Sequence, residues 1–333
     1  MKLSVLLPCR DAARHLPEAI ASLEAQTFGD FEVVAVDDGS TDATPALLAA
    51  WARRDARVRL LRSPARGIAP ALALALAEAR GELVARMDAD DIAEPERLER
   101  QVAYLDAEPG VAACGCGVRY FPREVVREGA VRYEAWLNSL VGPASLARDI
   151  FVECPIAHPA LVARRAALVA VGGYRDPGWP EDYDLLLRLW AAGHALASVP
   201  AVLLHWRESA GRASRVDPRY SPAAFRCCKV HHLKATLLRS RAGVVVWGAG
   251  PVGKAFALEL LRQEVPVRAF VDLDPRKIGQ EIHGAAVIPP ERIDRWRGAF
   301  AVAAVGSSGA RAEIRAALDA AGWTEMEEYC AVA

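Results

Sequence analysis

Apolar runs and helical repeats alternate along the first half of the chain. Leu3–Leu7 is a short uncharged run ending at Pro8, which predicts a buried strand. Leu16, Ala19, Ile20 and Leu23 then recur at helical spacing, and Phe31–Val36 predicts a second strand. Asp42 stands where it can cap a helix carrying Leu47, Leu48 and Trp51, with Pro45 in its first turn. Val58–Leu61 predicts a third strand, Ile68–Ala79 a helix and Leu83–Met87 a fourth strand. Pro95–Leu105 predicts a further helix and Val111–Tyr120 a further strand. This order predicts an α/β fold with a mostly parallel sheet and helices on both faces. On such sheets ligands bind beyond the carboxyl ends of the strands.

The middle of the chain reads as extended over Pro155–Val162, helical over Arg165–Val171 and turning at Gly172-Gly173. Asp182–Ala192 is helical in pattern and Ala195–Leu204 extended. From Pro218 to Leu258 there is no acidic residue, while Arg219, Arg226, Lys229, Lys234, Arg239, Arg241 and Lys254 fall there. A second α/β unit starts at Val244–Trp247. The predicted domains are 1–240, ending in a basic helical linker at about 218–241, and 241–333.

Composition narrows the function classes. The 333 residues are 53% hydrophobic and 25% charged, which is globular usage and enough chain for two cores. Lys and Arg number 41 against 42 Asp and Glu, so no positive field exists to hold nucleic acid. Seven scattered cysteines read as a reduced, cytoplasmic chain, with Cys114 and Cys116 as core residues. Met1-Lys2 and the five uncharged residues before Pro8 are too short for a signal core. The apolar stretches Ile68–Ala77 and Ala195–Leu204 fall short of the roughly 20 residues that span a bilayer. The expected membrane contact is therefore peripheral.

Three acidic clusters carry the candidate chemistry. The first, Asp37-Asp38-Gly39-Ser40-Thr41-Asp42, follows the second strand. A carboxylate there can accept from a nucleobase N–H or a ribose hydroxyl, or the segment is an Asx turn with a helix cap. The second, Asp88-Ala89-Asp90-Asp91, crowds three carboxylates at the end of an apolar strand. Such crowding is costly unless a cation sits among them, and hard oxygen ligands suit Mg²⁺ or Mn²⁺. The third, Glu181-Asp182-Tyr183-Asp184, opens a helix, where acids suit the dipole and one can serve as a general base.

In this order the clusters resemble the family 2 glycosyltransferases, which have the GT-A fold. The matching segments are Ser4-Val-Leu-Leu-Pro8, Ala25-Gln-Thr-Phe28, Val36–Asp42 and Ala85–Asp91. Pro95-Glu-Arg-Leu98, His158-Pro159, Arg164-Arg165, Gly172-Gly-Tyr174 and Glu181-Asp-Tyr-Asp-Leu185 continue it over about the first 215 residues. The resemblance implies an inverting transfer of sugar from a nucleotide-diphosphate sugar, usually of UDP or dTDP, to a saccharide or glycolipid acceptor. Carried over, it puts Pro8 by the nucleotide, Asp38 at the base, Asp88 at the ribose and Asp90 on the metal. Asp182 is then the base, Asp91 supports the cluster, Arg207 meets the diphosphate and His158 lines the acceptor site or is structural. The chain departs from the pattern at Leu72-Ala73, Ala75 and Ser209, where polar donor contacts are common.

The C-terminal segment has a strand, Gly248-Ala-Gly250-Pro-Val-Gly253 and then a helix, followed by a strand ending at Asp272. This is the pattern of a small Rossmann-like domain that holds a nucleotide on Gly248, Gly250, Gly253 and Asp272, or packs without one. Two rival functions follow: an NAD-dependent oxidoreductase acting through this unit, and a nucleotide-sugar-binding protein without catalysis. No second catalytic segment follows Asp272, which argues against the first, and the three retained acidic clusters argue against the second.

Overall fold

The apolar runs become strands. In the computed structural model, which describes residues 1–333 apart from the side chain of Ala213, they are β1 (Leu3–Cys9), β2 (Phe31–Asp38), β3 (Val58–Ser63) and β4 (Leu83–Arg86). β5 (Ile92–Ala93), β6 (Val111–Phe121), β7 (Val162–Arg164) and β8 (Ala195–Arg207) complete the first sheet. Its order is β3-β2-β1-β4-β7-β6-β8-β5. The first four strands run parallel. β7 is antiparallel to both β4 and β6, and β5 to β8, so the sheet is mixed.

Alternation along the strands explains the core. Leu3, Val5 and Leu7 share one face with Phe31, Val33, Ala35, Leu83, Ala85 and Met87. Leu16, Ala19, Ile20 and Leu23 of the helix Leu16–Glu24 pack on that cluster, as does Trp51 of the helix Thr44–Arg54. Each large apolar side chain buried this way contributes about 1.5–3 kcal/mol. Asp42 does not cap Thr44–Arg54 in the usual position. Its Oδ1 accepts from Thr44 N at 2.9 Å in an Asx turn and its Oδ2 from Ala13 N at 3.0 Å. The stretch that read as extended before β7 contains a 3₁₀ turn at His158–Ala160.

The chain divides into two compact units: Met1–Ala147 with Pro155–Asp217, and Arg148–Cys154 with Pro218–Ala333. The basic helix Pro222–Ala235, capped by Ser221 Oγ, belongs to the second. Its sheet holds β9 (Val244–Trp247), β10 (Val267–Val271), β11 (Glu281–Ile282), β12 (Ala285–Ile288), β13 (Phe300–Ala303) and β14 (Tyr329–Ala331). The order is β11-β12-β10-β9-β13-β14, parallel except for the β11–β12 pair. The helix Pro251–Arg262 buries Phe256, Ala257 and Leu260. The segment Arg148–Cys154 is fastened within this unit. Asp149 pairs with Arg315 at 2.5 Å, and the buried Lys229 Nζ donates to Val152 O at 2.6 Å and Val332 O at 3.0 Å. Among the described residues no helix is long and apolar enough to cross a membrane.

Candidate active site

Three parallel strands end side by side, because β1 pairs Pro8 with Val36 of β2 and Leu6 with Arg86 of β4. Pro8, Asp38 and Asp88 therefore lie at or just beyond neighbouring carboxyl ends. Asp38 is buried, and its carboxylate accepts from Arg66 N at 2.9 Å and Gly67 N at 2.7 Å, with Arg10 Nη1 4.0 Å away. It thus shapes the loop beyond β3 and keeps lone pairs for a further donor. Asp37 accepts from Ser40 N at 3.1 Å, the turn geometry that the small polar residues favour.

The turn after β4 gathers Asp88, Asp90 and Asp91, one oxygen of each lying within 4.8 Å of the others. Burial, then Asp88, pushes the Asp90 carboxyl up to about 6. Burial, then the charges of Asp88 and Asp90, lifts Asp91 well above the usual carboxylate range. Asp91 Oδ1 accepts from Arg207 N at 2.7 Å, while Oδ2 is buried with no hydrogen-bond partner among the described residues. Mutual repulsion and an unused buried oxygen are what a bound divalent cation relieves. The donor set therefore fits Mg²⁺ or Mn²⁺.

Arg207 closes this turn from the end of β8. Its Nε donates to Asp90 O at 2.6 Å, its Nη2 to Glu18 at 2.5 Å, and its guanidinium lies 4.3 Å from the centre of the Phe121 ring. Arg212, which the sequence did not single out, lies 4.4 Å over the Trp206 ring, and its charge lowers the pKa of both Asp90 and Asp91. A basic residue a few positions beyond β8 was its one sequence signal.

The third cluster separates into different environments. The helix Glu181–Ala191 begins after Pro180, with all three acids in its first turn. Glu181 is buried, 3.7 Å from His158 Nδ1. Asp184 accepts from Arg188 Nε at 2.7 Å and Trp179 Nε1 at 3.1 Å, and Arg188 also donates to Val171 O and Gly173 O. Asp184 thus fastens the Gly172-Gly173 turn to the helix. Asp182 is half-buried, and its Oδ1 accepts from Tyr183 N at 2.7 Å. His158 is buried, with Nε2 3.4 Å from Tyr174 Oη. Burial, then Arg86, holds its pKa well below the ordinary value, so the ring is neutral at pH 7.

In the second unit, a Cβ on Gly253 would stand 1.8 Å from Gly248 O, and one on Gly248 2.8 Å from Ala304 O. Gly250 has open space on that side. Asp272 Oδ2 accepts from Ala249 N and Lys277 Nζ, each at 2.9 Å, and Oδ1 from Asp274 N at 2.9 Å. Its carboxyl is held low: these bonds outweigh the opposing effect of burial.

The family model for glycosyl transferase family 2 matches residues 4–171, the span that carries β1 to β4 and the acidic turn. The chain belongs to glycosyltransferase family 2. Its activity is glycosyl transfer. The amylovoran biosynthesis glycosyltransferase AmsE of Erwinia amylovora is 31% identical over 199 residues, covering 60% of this chain and 72% of that protein. Among solved structures, S. aureus TarS 1–349 in complex with UDP-GlcNAc superposes with a TM-score of 0.59 at 18% identity, covering 71% of this chain and 67% of that one. The mannosyltransferase PcManGT of Pyrobaculum calidifontis, in complex with GDP-Man and Mn²⁺, gives 0.51 at 24% identity, covering 70% and 61%. These two likenesses establish the GT-A fold.

Proposed function

We propose that this glycosyltransferase is metal-assisted and inverting, and that it moves a sugar from a UDP-sugar to a hydroxyl of a saccharide or glycolipid in polysaccharide synthesis. The observation that carries the reading is the acidic turn. Asp88, Asp90 and Asp91 converge beyond the carboxyl end of β4, with one buried carboxylate oxygen unused. Relatives in polysaccharide synthesis and fold neighbours holding UDP-GlcNAc or GDP-Man with Mn²⁺ support it.

The chain's own residues divide the work. Pro8 and Asp38 border the base, Asp88 takes the ribose, and Asp90 with its neighbours holds Mg²⁺ or Mn²⁺. When bound, the cation offsets the negative charge that develops on the leaving diphosphate. Asp182 accepts the proton of the acceptor hydroxyl. That oxygen forms a bond to the anomeric carbon as the bond to the diphosphate breaks on the opposite side and its electron pair leaves with the diphosphate. One such displacement inverts the anomeric configuration. General-base assistance is worth about 10²–10⁴ in rate. Arg207 serves chiefly to hold the acidic turn, since its guanidinium already has three protein contacts.

For the second unit we infer a Rossmann-like domain in which Gly248 and Gly253 permit close packing. Asp272 there braces the glycine turn through Ala249 N. Peripheral membrane contact through the basic stretch rests on the charge run alone, and sedimentation with anionic vesicles tests it. The deciding experiment for the main reading incubates the protein with UDP-sugars and Mn²⁺. UDP release that chelator abolishes supports it, and full activity in excess chelator overturns the metal assistance.

A further inference from the structure

Arg86 is a charge in the last position of an apolar strand. Its backbone is fixed on every side: N–H to Leu161 O at 2.8 Å, C=O from Arg97 Nη2 at 2.7 Å, and register with Leu6 of β1. Leu83, Ala85 and Met87 take the core face, so Arg86 and Asp88 share the other. The Arg86 side chain is 1% exposed. A guanidinium so placed is strongly penalised unless anions surround it. Asp88 Oδ1 lies 2.6 Å from Nη1. Leu161, which receives the Arg86 N–H, directly follows the turn His158–Ala160, and His158 lies 3.7 Å from Glu181 through Nδ1 and 3.4 Å from the neutral Tyr174 Oη through Nε2. Arg86 Nε has no hydrogen-bond partner among the described residues. One buried residue is therefore joined directly to the carboxylate at the donor side and, through the turn that carries His158, to the residue that precedes Asp182.

We propose that Arg86 is a positioning residue that fixes the donor carboxylate Asp88 and the start of the base-bearing helix Glu181–Ala191 against a single buried charge. The inference rests on the reading of Asp88 and Asp182 given above. Arg86 touches neither sugar nor diphosphate. It sets where Asp88 presents its free oxygen and where Glu181, and with it Asp182, stands. Misplacing a reacting group by about 1 Å costs on the order of 10² in rate.

The test compares Arg86→Met, Arg86→Lys and Glu181→Gln in the full chain. UDP affinity with Mn²⁺ is measured by calorimetry, and transfer at saturating donor is measured beside it. Arg86→Met should weaken UDP by about tenfold and also lower kcat by about 10²-fold. Glu181→Gln should lower kcat and leave UDP affinity unchanged. Arg86→Lys keeps the charge and should recover at least about tenfold of the lost kcat. Losses in the double variant Arg86→Met with Asp88→Asn should not multiply, because the two residues act as one unit. Loss of UDP affinity alone, or of kcat alone, in Arg86→Met overturns the bridging role. Equal losses in the Lys and Met variants, or multiplying losses in the double variant, overturn it too. Thermal unfolding of Arg86→Met identifies a variant that fails to fold, and Arg86→Lys with Glu181→Gln then carry the decision. If the wild type transfers no sugar at all, the donor reading fails, while the UDP-binding arm still reads the coupling of Arg86 to Asp88.

Discussion

Asp90 stores a conflict between folding and function. Its carboxyl is raised to about 6 from 3.8, first by burial and then by Asp88. The folded chain thus binds this proton more tightly than the unfolded one, so the contribution of Asp90 to stability is fully present below about pH 4 and is lost as pH rises through about 6. Asp90→Asn removes that cost, about 1–3 kcal/mol at pH 7. The metal-free variant should melt a few degrees higher than wild type at pH 7, show little gain at pH 4, and lose transfer entirely. Equal melting at both pH values would contradict the assignment. The neighbouring cluster separates by variant. Asp182→Asn should cut transfer by about 10² or more with UDP affinity intact. Asp184→Asn should cost about 1–3 kcal/mol in denaturant unfolding, because Arg188 Nε then meets a neutral amide in place of the carboxylate 2.7 Å away. If Asp184→Asn instead removes transfer while stability holds, the base has been assigned to the wrong carboxylate.

At the scale of elements, what could be read in the sequence followed from local pattern. β1 to β4 and β9 lie on short runs dominated by apolar residues, and acidic clusters follow β2 and β4 directly. The helix Glu128–Ser139 gave no usable stripe, since it buries only Ala130 and Leu137 and carries Gly129. The reversal of β7 was equally silent, because pairing direction is not written in a three-residue strand. The partners of Arg207 were beyond reach for another reason: Glu18 is 189 positions away and Asp90 is 117. The Arg86 charge was visible in its strand, but its burial against Asp88 needed the fold. The glycine turn after β9 has its own test. Gly253→Ala should destabilise the second unit by more than about 2 kcal/mol, because the new methyl meets a carbonyl at 1.8 Å. Gly250→Ala has open space and should be nearly silent in thermal unfolding. A large loss of stability in Gly250→Ala would show that the turn tolerates no side chain for reasons other than packing.

The whole molecule is not a string of consecutive domains. Arg148–Cys154 leaves the first unit and joins the second, where Asp149 and Val152 find Arg315 and Lys229. A chain cut after Asp217 keeps every residue of the first unit but leaves the buried Asp149, Ile150 and Phe151 without that unit around them. Such a fragment should aggregate or melt well below the full chain, and Asp149→Ala in the full chain should be destabilised in the same direction. A soluble 1–217 fragment melting like the full chain would show that the segment needs no partner.

The same threaded segment sets a timetable on the ribosome. Asp149 emerges 166 residues before Arg315. At about 5–20 residues per second, that interval is roughly 8–33 seconds. During it the nascent chain holds a carboxylate and an apolar pair that are buried in the second unit of the folded protein before that unit is complete, and exposed apolar segments of this kind are what holdase chaperones bind. Release of such a chaperone should therefore coincide with synthesis of the last helix, Ala310–Ala320, rather than with completion of the catalytic sheet.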